Sequence, residues 1–304
     1  MNNYRHSIID LIYLALKGYL AGPYENRPAL DEVVQFQSGL AWMTGPPGQP
    51  LRAGASVIDI LGAMFGVIAV QGALRERDET GIGQRVSSSL FESAVFLMGS
   101  HMAGMAATGL DARPMPARRG AWAVYDVFNT GDDGQLFIGV TSDQQWERFI
   151  LEFNLKKLAA DPRLETNVTR LAERSWLLPE IQAALLKFTQ KELEQRCEHC
   201  NISWAPVGQP KDLFEDPHLL ATGGLVDVFV SKFGEDIGKM TGLPALPVEF
   251  GMERKRPKVR LQPPKIGEHN EEILLQYGFE KDEIQSLYRS SVLTDYKRIK
   301  ILSD

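Results

Sequence analysis

Residues 52–86 read RAGASVIDILGAMFGVIAVQGALRERDETGIGQRV. The segment just before and into it, MTGPPGQPLRAG (residues 43–54), is a loop, because its prolines and glycines leave no regular element room. Ser56 to Arg77 reads as one long helix, closed by the polar TGIGQ turn. Its apolar run from Ser56 to Leu74 nearly reaches the ~20 residues of a membrane span. Asp59 and Gln71 interrupt that run, and Arg75, Glu76, Arg77 and Asp78 follow at once. These residues favour a buried core helix over a span.

Working outward, Arg85 to Leu110 begins extended and continues as a Met- and Ala-rich helix. Both helices are apolar on nearly all sides, so they are expected to be buried against a sheet or another subunit. Upstream, IIDLIYLAL (residues 8–16) has the composition of a strand covered on both faces. The chain start resembles a signal peptide, but Asp10 and Lys17 break its apolar run, and charge there is costly. A loop from Gly18 to Pro28 leads to a short helix over Asp31–Leu40. Downstream, a boundary is expected near Gly109–Gly120. WAVYDVFNTGDDGQLFIGV (residues 122–140) then reads as a hairpin around its GDDG turn. Helices are expected near 142–153, 171–189 and 190–200, strands near 225–229, and helices from 270 and 282. The Pro-rich stretch 243–264 reads as a linker returning to the first domain.

The 304 residues are 44% hydrophobic and 24% charged, a globular composition with room for one large domain or two ordinary ones. A net charge of −6 gives no general attraction for nucleic acid or anionic lipid. Two cysteines, Cys197 and Cys200, fit a reducing compartment better than a disulfide framework. A cytoplasmic location is expected.

Five phrases resemble the class III CoA-transferase family, which includes carnitine CoA-transferases, formyl-CoA transferases and α-methylacyl-CoA racemases. They are KGYLAGPYENRPALDEVVQFQSGL (17–40), the run 52–86, DPRLETNVTRLAER (161–174), APVGQPKDLFEDPHL (205–219) and PPKIGEHNEEIL (263–274). They occur in the family's order across nearly the whole chain. The chain is similar to that family while lacking its usual N-terminal part, which leaves a partner-dependent or inactive fragment open as an alternative.

The resemblance implies an α/β fold. An incomplete Rossmann-like large domain would comprise residues 1–112 and 243–304, with a smaller α+β domain over 113–242 and an interlocked homodimer. It implies a CoA-transferase that uses an acyl-CoA thioester and a carboxylic acid acceptor, with no metal and no permanently bound cofactor. Asp59 would be the carboxylate that attacks the thioester, passing through a mixed anhydride to an aspartyl-CoA thioester. A hydrated carboxylate attacks poorly, so partial burial at a helix start suits that role, where the dipole keeps the group ionised. A plainer reading stands beside it. Ser56-Val57-Ile58-Asp59 also matches a capping box, in which Asp59 merely satisfies backbone N–H groups.

By the same resemblance Pro28, Ala29, Leu30 and Asp31 line the CoA channel, although Asp31 is also an ordinary acidic residue at a helix start. The racemases carry a histidine where Leu30 stands, and leucine has nothing to titrate. This favours transfer over racemase or isomerase chemistry, the alternative within the family. Gly62 and Gly66 share a helix face with Asp59, permitting close packing. Cys197-Glu198-His199-Cys200 is half of a zinc pattern without its second half. His269 is expected to order its loop. The basic run Arg254, Lys255, Arg256, Lys258 and Arg260 reads as a solvated linker. Gly81 and Gly83 read as turn glycines, since no phosphate-loop lysine follows.

Overall fold

The computed structural model describes residues 9–117, 120–231 and 238–295. The first seven residues of the signal-like start and Ile8 of the expected strand lie outside them. The chain is a mixed α/β protein of helices and small sheets. It forms two compact units. One holds residues up to Ala123 together with Pro162–Ser175, and the other holds the rest.

The first unit opens with β1 (Tyr13–Lys17), followed by α1 (Asp31–Gln37) and α2 (Leu40–Thr44). The single helix expected over Asp31–Leu40 is broken at Gly39, whose φ of 88° starts α2. A left-handed residue cannot continue a right-handed helix. Next come α3 (Val57–Thr80), β2 (Arg85–Ser89) and α4 (Leu90–Thr108). Gly81, at φ 73°, ends α3 by donating its N–H to Arg77 O at 2.7 Å, an αL cap. β1 and β2 pair in parallel, from Tyr13↔Arg85 to Lys17↔Ser89. Parallel strands need a crossover, and α3 supplies it. In the TGIGQ turn, a Cβ on Gly83 would lie 2.1 Å from Leu11 O, so glycine alone allows the backbones to meet there.

Tyr19, Val34, Ile58 and Ala94 form a buried cluster, packed by Ala29, Leu40, Val57, Leu90 and Phe91. Burying a side chain such as Ile58 contributes about 1.5–3 kcal/mol, so this cluster fixes the starts of α1, α3 and α4 together. The expected strand exists, but only Ala15 of β1 is buried. Two strands under one helix cover one face, not both. Likewise α3 buries its glycine face, while Ile60, Met64, Val67 and Ile68 are exposed. Among the described residues α3 is the one helix long and apolar enough to cross a membrane, and 22% of its most apolar window is buried.

The second unit contains the hairpin β3 (Tyr125–Asn129) and β4 (Gln135–Gly139). Its turn places Asp133 at φ 61° and closes with Thr130 N–H on Gly134 O at 2.9 Å. There follow α5 (Asp143–Glu152), α6 (Lys156–Ala159), α7 (Asn167–Ala172, in the first unit), α8 (Arg174–Leu185) and α9 (Gln190–His199). β5 (Ser203–Pro206) completes an antiparallel sheet in the order β3-β4-β5. After α10 (Pro217–Ala221) comes the antiparallel pair β6 (Leu225–Ser231) and β7 (Gly238–Pro244). The stretch 245–264 carries no helix, only a bridge between Phe250 and Lys255. It leads to α11 (Asn270–Gln276) and α12 (Lys281–Arg289).

Candidate active site

The first turn of any α-helix leaves N–H groups without intrahelical partners. In α3 the residue before the helix is Ser56, and its side chain makes no capping bond. The local capping box therefore does not form. The cap comes from α1 instead. Asp31 Oδ2 accepts the N–H of Ile58 at 2.7 Å and that of Asp59 at 3.1 Å. Asp31 Oδ1 accepts from the Gln35 amide, one helical turn on. Gln35 Oε1 in turn accepts the Ala53 N–H at 2.9 Å. Asp31 is 3% exposed and Gln35 fully buried.

Asp59 is left without that structural duty. Among the described residues its carboxylate has no hydrogen-bond or ion-pair partner, and the residue is exposed. Its carboxyl is held above the ordinary aspartate range, first by desolvation, then by the charges of Asp31 and Glu32. Two expectations are corrected here. The residue is exposed rather than enclosed, and the net effect of its surroundings is to raise, not lower, its pKa. The positive end of α3 already faces the Asp31 carboxylate, which compensates it and repels a second negative charge. Glu32 itself pairs with Arg52 at 3.0 Å.

The glycines on α3 locate Asp59 along the sheet. A Cβ on Gly66 would lie 3.1 Å from Leu14 Cδ2. On Gly62 it would lie 3.3 Å from Leu90 Cδ2, with Ser89 and Leu16 next nearest. Ser88 Oγ donates to Gly62 O at 2.8 Å. Both glycines are thus packing residues against β1 and β2. One turn earlier the strands have run out, and Asp59 stands beyond their C-terminal ends. That is where ligands bind in open α/β sheets.

The loop after β1 closes the other side. A Cβ on Gly18 would sit 2.3 Å from Ala29 Cβ, so Gly18 is needed for the Pro28–Asp31 segment to cross the strand end. Tyr19 OH donates to Gln37 Oε1 at 2.6 Å, and Glu92 accepts the Leu20 N–H at 3.3 Å. Lys17 pairs with Glu25, and Arg27 lies 4.0 Å over the Tyr24 ring. Of the four residues expected at CoA, Asp31 is buried and fully engaged, and Ala29 packs on the core cluster. Pro28 and Leu30 are exposed beside them, Leu30 by 66%. Sequence reasoning missed Gln35 and Arg52. The i,i+4 spacing of Asp31 and Gln35 was the available signal for the first.

Other candidates have quieter roles. Cys197 and Cys200 are free and buried, their thiols pushed up to about 12 and about 11 by desolvation above all. They stay protonated and unreactive at neutral pH. Among the described residues no group of three His, Cys, Asp or Glu could hold a metal ion. His269 precedes α11 but its side chain caps nothing. Its loop is held by Glu268, which accepts the Lys265 N–H at 2.6 Å, and by Asn270 Nδ2, which donates to Thr294 O at 2.9 Å. In the basic run, Lys255 pairs with Glu253 at 2.5 Å and Arg256 with Glu249 at 3.9 Å.

With this geometry in hand, comparison with known proteins is decisive at one level. The family model for CoA-transferase family III matches residues 3–270. The chain belongs to that family. This CoA-transferase family III chain is 29% identical, over 285 residues, to an acyl-CoA transferase of Fusarium pseudograminearum, covering 93% of this chain and 61% of that protein. It is 29% identical over 272 residues to a succinate–glutarate CoA-transferase of Agrobacterium fabrum, covering 88% and 65% respectively. The family III chain therefore spans less than two thirds of the length of these two curated relatives. Among solved structures, it resembles a CaiB/BaiF family protein from Brucella suis with a TM-score of 0.73 and 25% identity. That match covers 88% of this chain and 68% of the other.

Proposed function

We propose that this chain carries the nucleophilic half-site of an acyl-CoA:carboxylate CoA-transferase, with Asp59 as the attacking carboxylate. The supporting observation is a carboxylate at a helix mouth with no partner among the described residues, because Asp31 already holds the neighbouring N–H groups. A carboxylate with a raised pKa is the more basic nucleophile, and an unpartnered one has least to give up on attack. Asp59 attacks the thioester carbonyl, the C–S bond breaks, and CoA leaves as the thiolate. The resulting mixed anhydride is attacked by that thiolate at the Asp59 carbonyl. This releases the first carboxylic acid as its carboxylate and leaves CoA on Asp59 as a thioester. The acceptor carboxylate then attacks that thioester, and the returning thiolate forms the new acyl-CoA and frees Asp59. No proton or electron is gained or lost across the cycle.

Exposed Leu30 and Pro28, in the segment that ends at Asp31, would flank the bound thioester. Leucine at position 30 cannot exchange an α-proton, so transfer is favoured over racemisation. The names of the relatives point to short dicarboxylic acids as acceptors. In the assembled enzyme, residues 1–112 and 243–304 would form a large Rossmann-like domain and 113–242 a smaller one, within a cytoplasmic homodimer that uses no metal. A second reading is favoured by one observation. Among the described residues β1 is bonded on one side only, and α3 leaves Ile60, Met64, Val67 and Ile68 uncovered. In that reading the chain is active only when further polypeptide covers those surfaces.

The test is incubation with succinyl-CoA followed by intact-mass and peptide mapping. A CoA or acyl adduct on Asp59, absent in Asp59→Asn, is expected. Turnover that persists in Asp59→Asn would sink the mechanism. An adduct seen only after a complementing polypeptide is added would favour the second reading.

A further inference from the structure

We infer that Gln35 is a positioning residue for Asp59, acting through Asp31; this rests on the transferase reading above. Gln35 is fully buried and uses both ends of its amide. Its NH2 group donates to Asp31 Oδ1, and its oxygen takes the Ala53 N–H at 2.9 Å. Asp31 Oδ2 meanwhile holds the N–H groups of Ile58 and Asp59. One side-chain pair on α1 thus ties down both the loop that enters α3 and the backbone of the nucleophile itself.

The choice of a neutral donor matters. Asp59 on α3 and Glu32 on α1 are the acidic neighbours, and Arg52 is committed to Glu32. Among the described residues no cation pairs with Asp31. Among the described residues its buried carboxylate is met by hydrogen bonds, and Gln35 supplies the only one of them from a side chain. A leucine there would leave Asp31 Oδ1 buried without a donor, loosening the hold of Asp31 on the Ile58 and Asp59 N–H groups. The Asp31 charge, which after desolvation raises the Asp59 carboxyl, would then no longer be held against it. A glutamate there can replace the amide only while protonated, its O–H donating to Asp31 and its carbonyl accepting from Ala53.

The experiment uses the full chain as native, Gln35→Glu and Gln35→Leu forms, with circular dichroism to establish folding at each pH. The rate of adduct formation from succinyl-CoA is followed against pH. The apparent pKa of Asp59 is read independently from the pH dependence of its carbodiimide labelling. Gln35→Glu is expected to approach the native rate in acid and to fall at least about tenfold below it by neutral pH, as a second buried carboxylate ionises. KM for succinyl-CoA stays within about twofold, because Gln35 is fully buried and acts on the attacking group rather than on binding. In Gln35→Leu, Asp59 labelling shifts to a lower pKa. A uniform loss at every pH in folded Gln35→Glu would overturn the proposal, as would an unchanged Asp59 pKa in Gln35→Leu. The labelling needs no turnover. A native chain that forms no adduct, yet whose Asp59 shifts in Gln35→Leu, would keep the link from Gln35 and overturn the transferase reading instead.

Discussion

Two helix starts in this chain carry the same four-residue pattern and do opposite things with it. At α9 the pattern is Thr189-Gln190-Lys191-Glu192, and the box closes. Thr189 Oγ1 accepts the Glu192 N–H at 3.3 Å, and Glu192 accepts the Thr189 N–H at 2.8 Å. The Glu192 carboxylate also accepts the Thr189 hydroxyl at 2.9 Å, and the two bonds it receives, the backbone one first, hold it below the ordinary range. At α3 the pattern is Ser56-Val57-Ile58-Asp59, and neither half of the box forms. Asp31 has arrived from 27 residues away and taken the Ile58 N–H. The equivalent carboxylate, Asp59, is pushed up instead of down. A local motif thus yields a structural cap where nothing competes, and a free reactive group where tertiary packing supplies the cap from elsewhere.

Substitutions at the two helix starts should differ in size and in kind. The largest effect is on chemistry. Asp59→Asn should reduce CoA transfer by at least about a thousandfold, as loss of a nucleophile does, whereas Glu192→Gln should leave adduct formation at the native rate. Next in size is Asp31→Ala, which strips the buried cap from Ile58, Asp59 and Gln35. Urea unfolding should show a loss of about 3 kcal/mol, the range for orphaning buried polar groups. Thr189→Ala should cost about 1 kcal/mol, as loss of a working N-cap does. Ser56→Ala, at a serine whose side chain caps nothing, should stay within about 0.5 kcal/mol. A Ser56→Ala loss equal to that of Thr189→Ala would erase the distinction.

The pH-dependent effect has opposite signs at the two sites. The folded pKa of Asp59 is raised, so its ionised form costs stability. That penalty is absent in acid and develops as pH rises through the carboxylate range towards the folded pKa. Asp59→Asn should therefore stabilise the chain at neutral pH by at most about 1 kcal/mol, since exposed charges are screened, and not at all in acid. The pKa of Glu192 is lowered, so its contribution is present above the unfolded value and lost as pH falls through the folded one. Glu192→Gln should destabilise at neutral pH, with the difference fading in acid. Thermal melts at two pH values measure both.

What could be read from the sequence follows the same division. The hairpin at Gly131–Gly134, the long helix over 57–80 and the Asp59 position at its mouth are written in local spacing and turn residues. The contacts of Asp31 with Ile58 and of Gln35 with Ala53 join residues far apart in the chain. No pattern within a single element announces them, so Asp31 could be placed at a helix start without its cap being foreseen. The break at Gly39 was hidden because glycine marks several kinds of turn. The cover expected over β1 and α3 was inferred from apolar composition, which says that a surface seeks a partner but not that this chain contains it.

The most direct test is a site-resolved NMR titration of the side-chain carboxyl carbons of Asp59 and Glu192 in the native chain. Asp59 should titrate above the ordinary aspartate value of about 3.9 and Glu192 below the ordinary glutamate value of about 4.3. If Asp59 instead titrates at or below its ordinary value, it is closing the box at α3 as Glu192 does at α9. The free carboxylate on which the mechanism depends would then not exist.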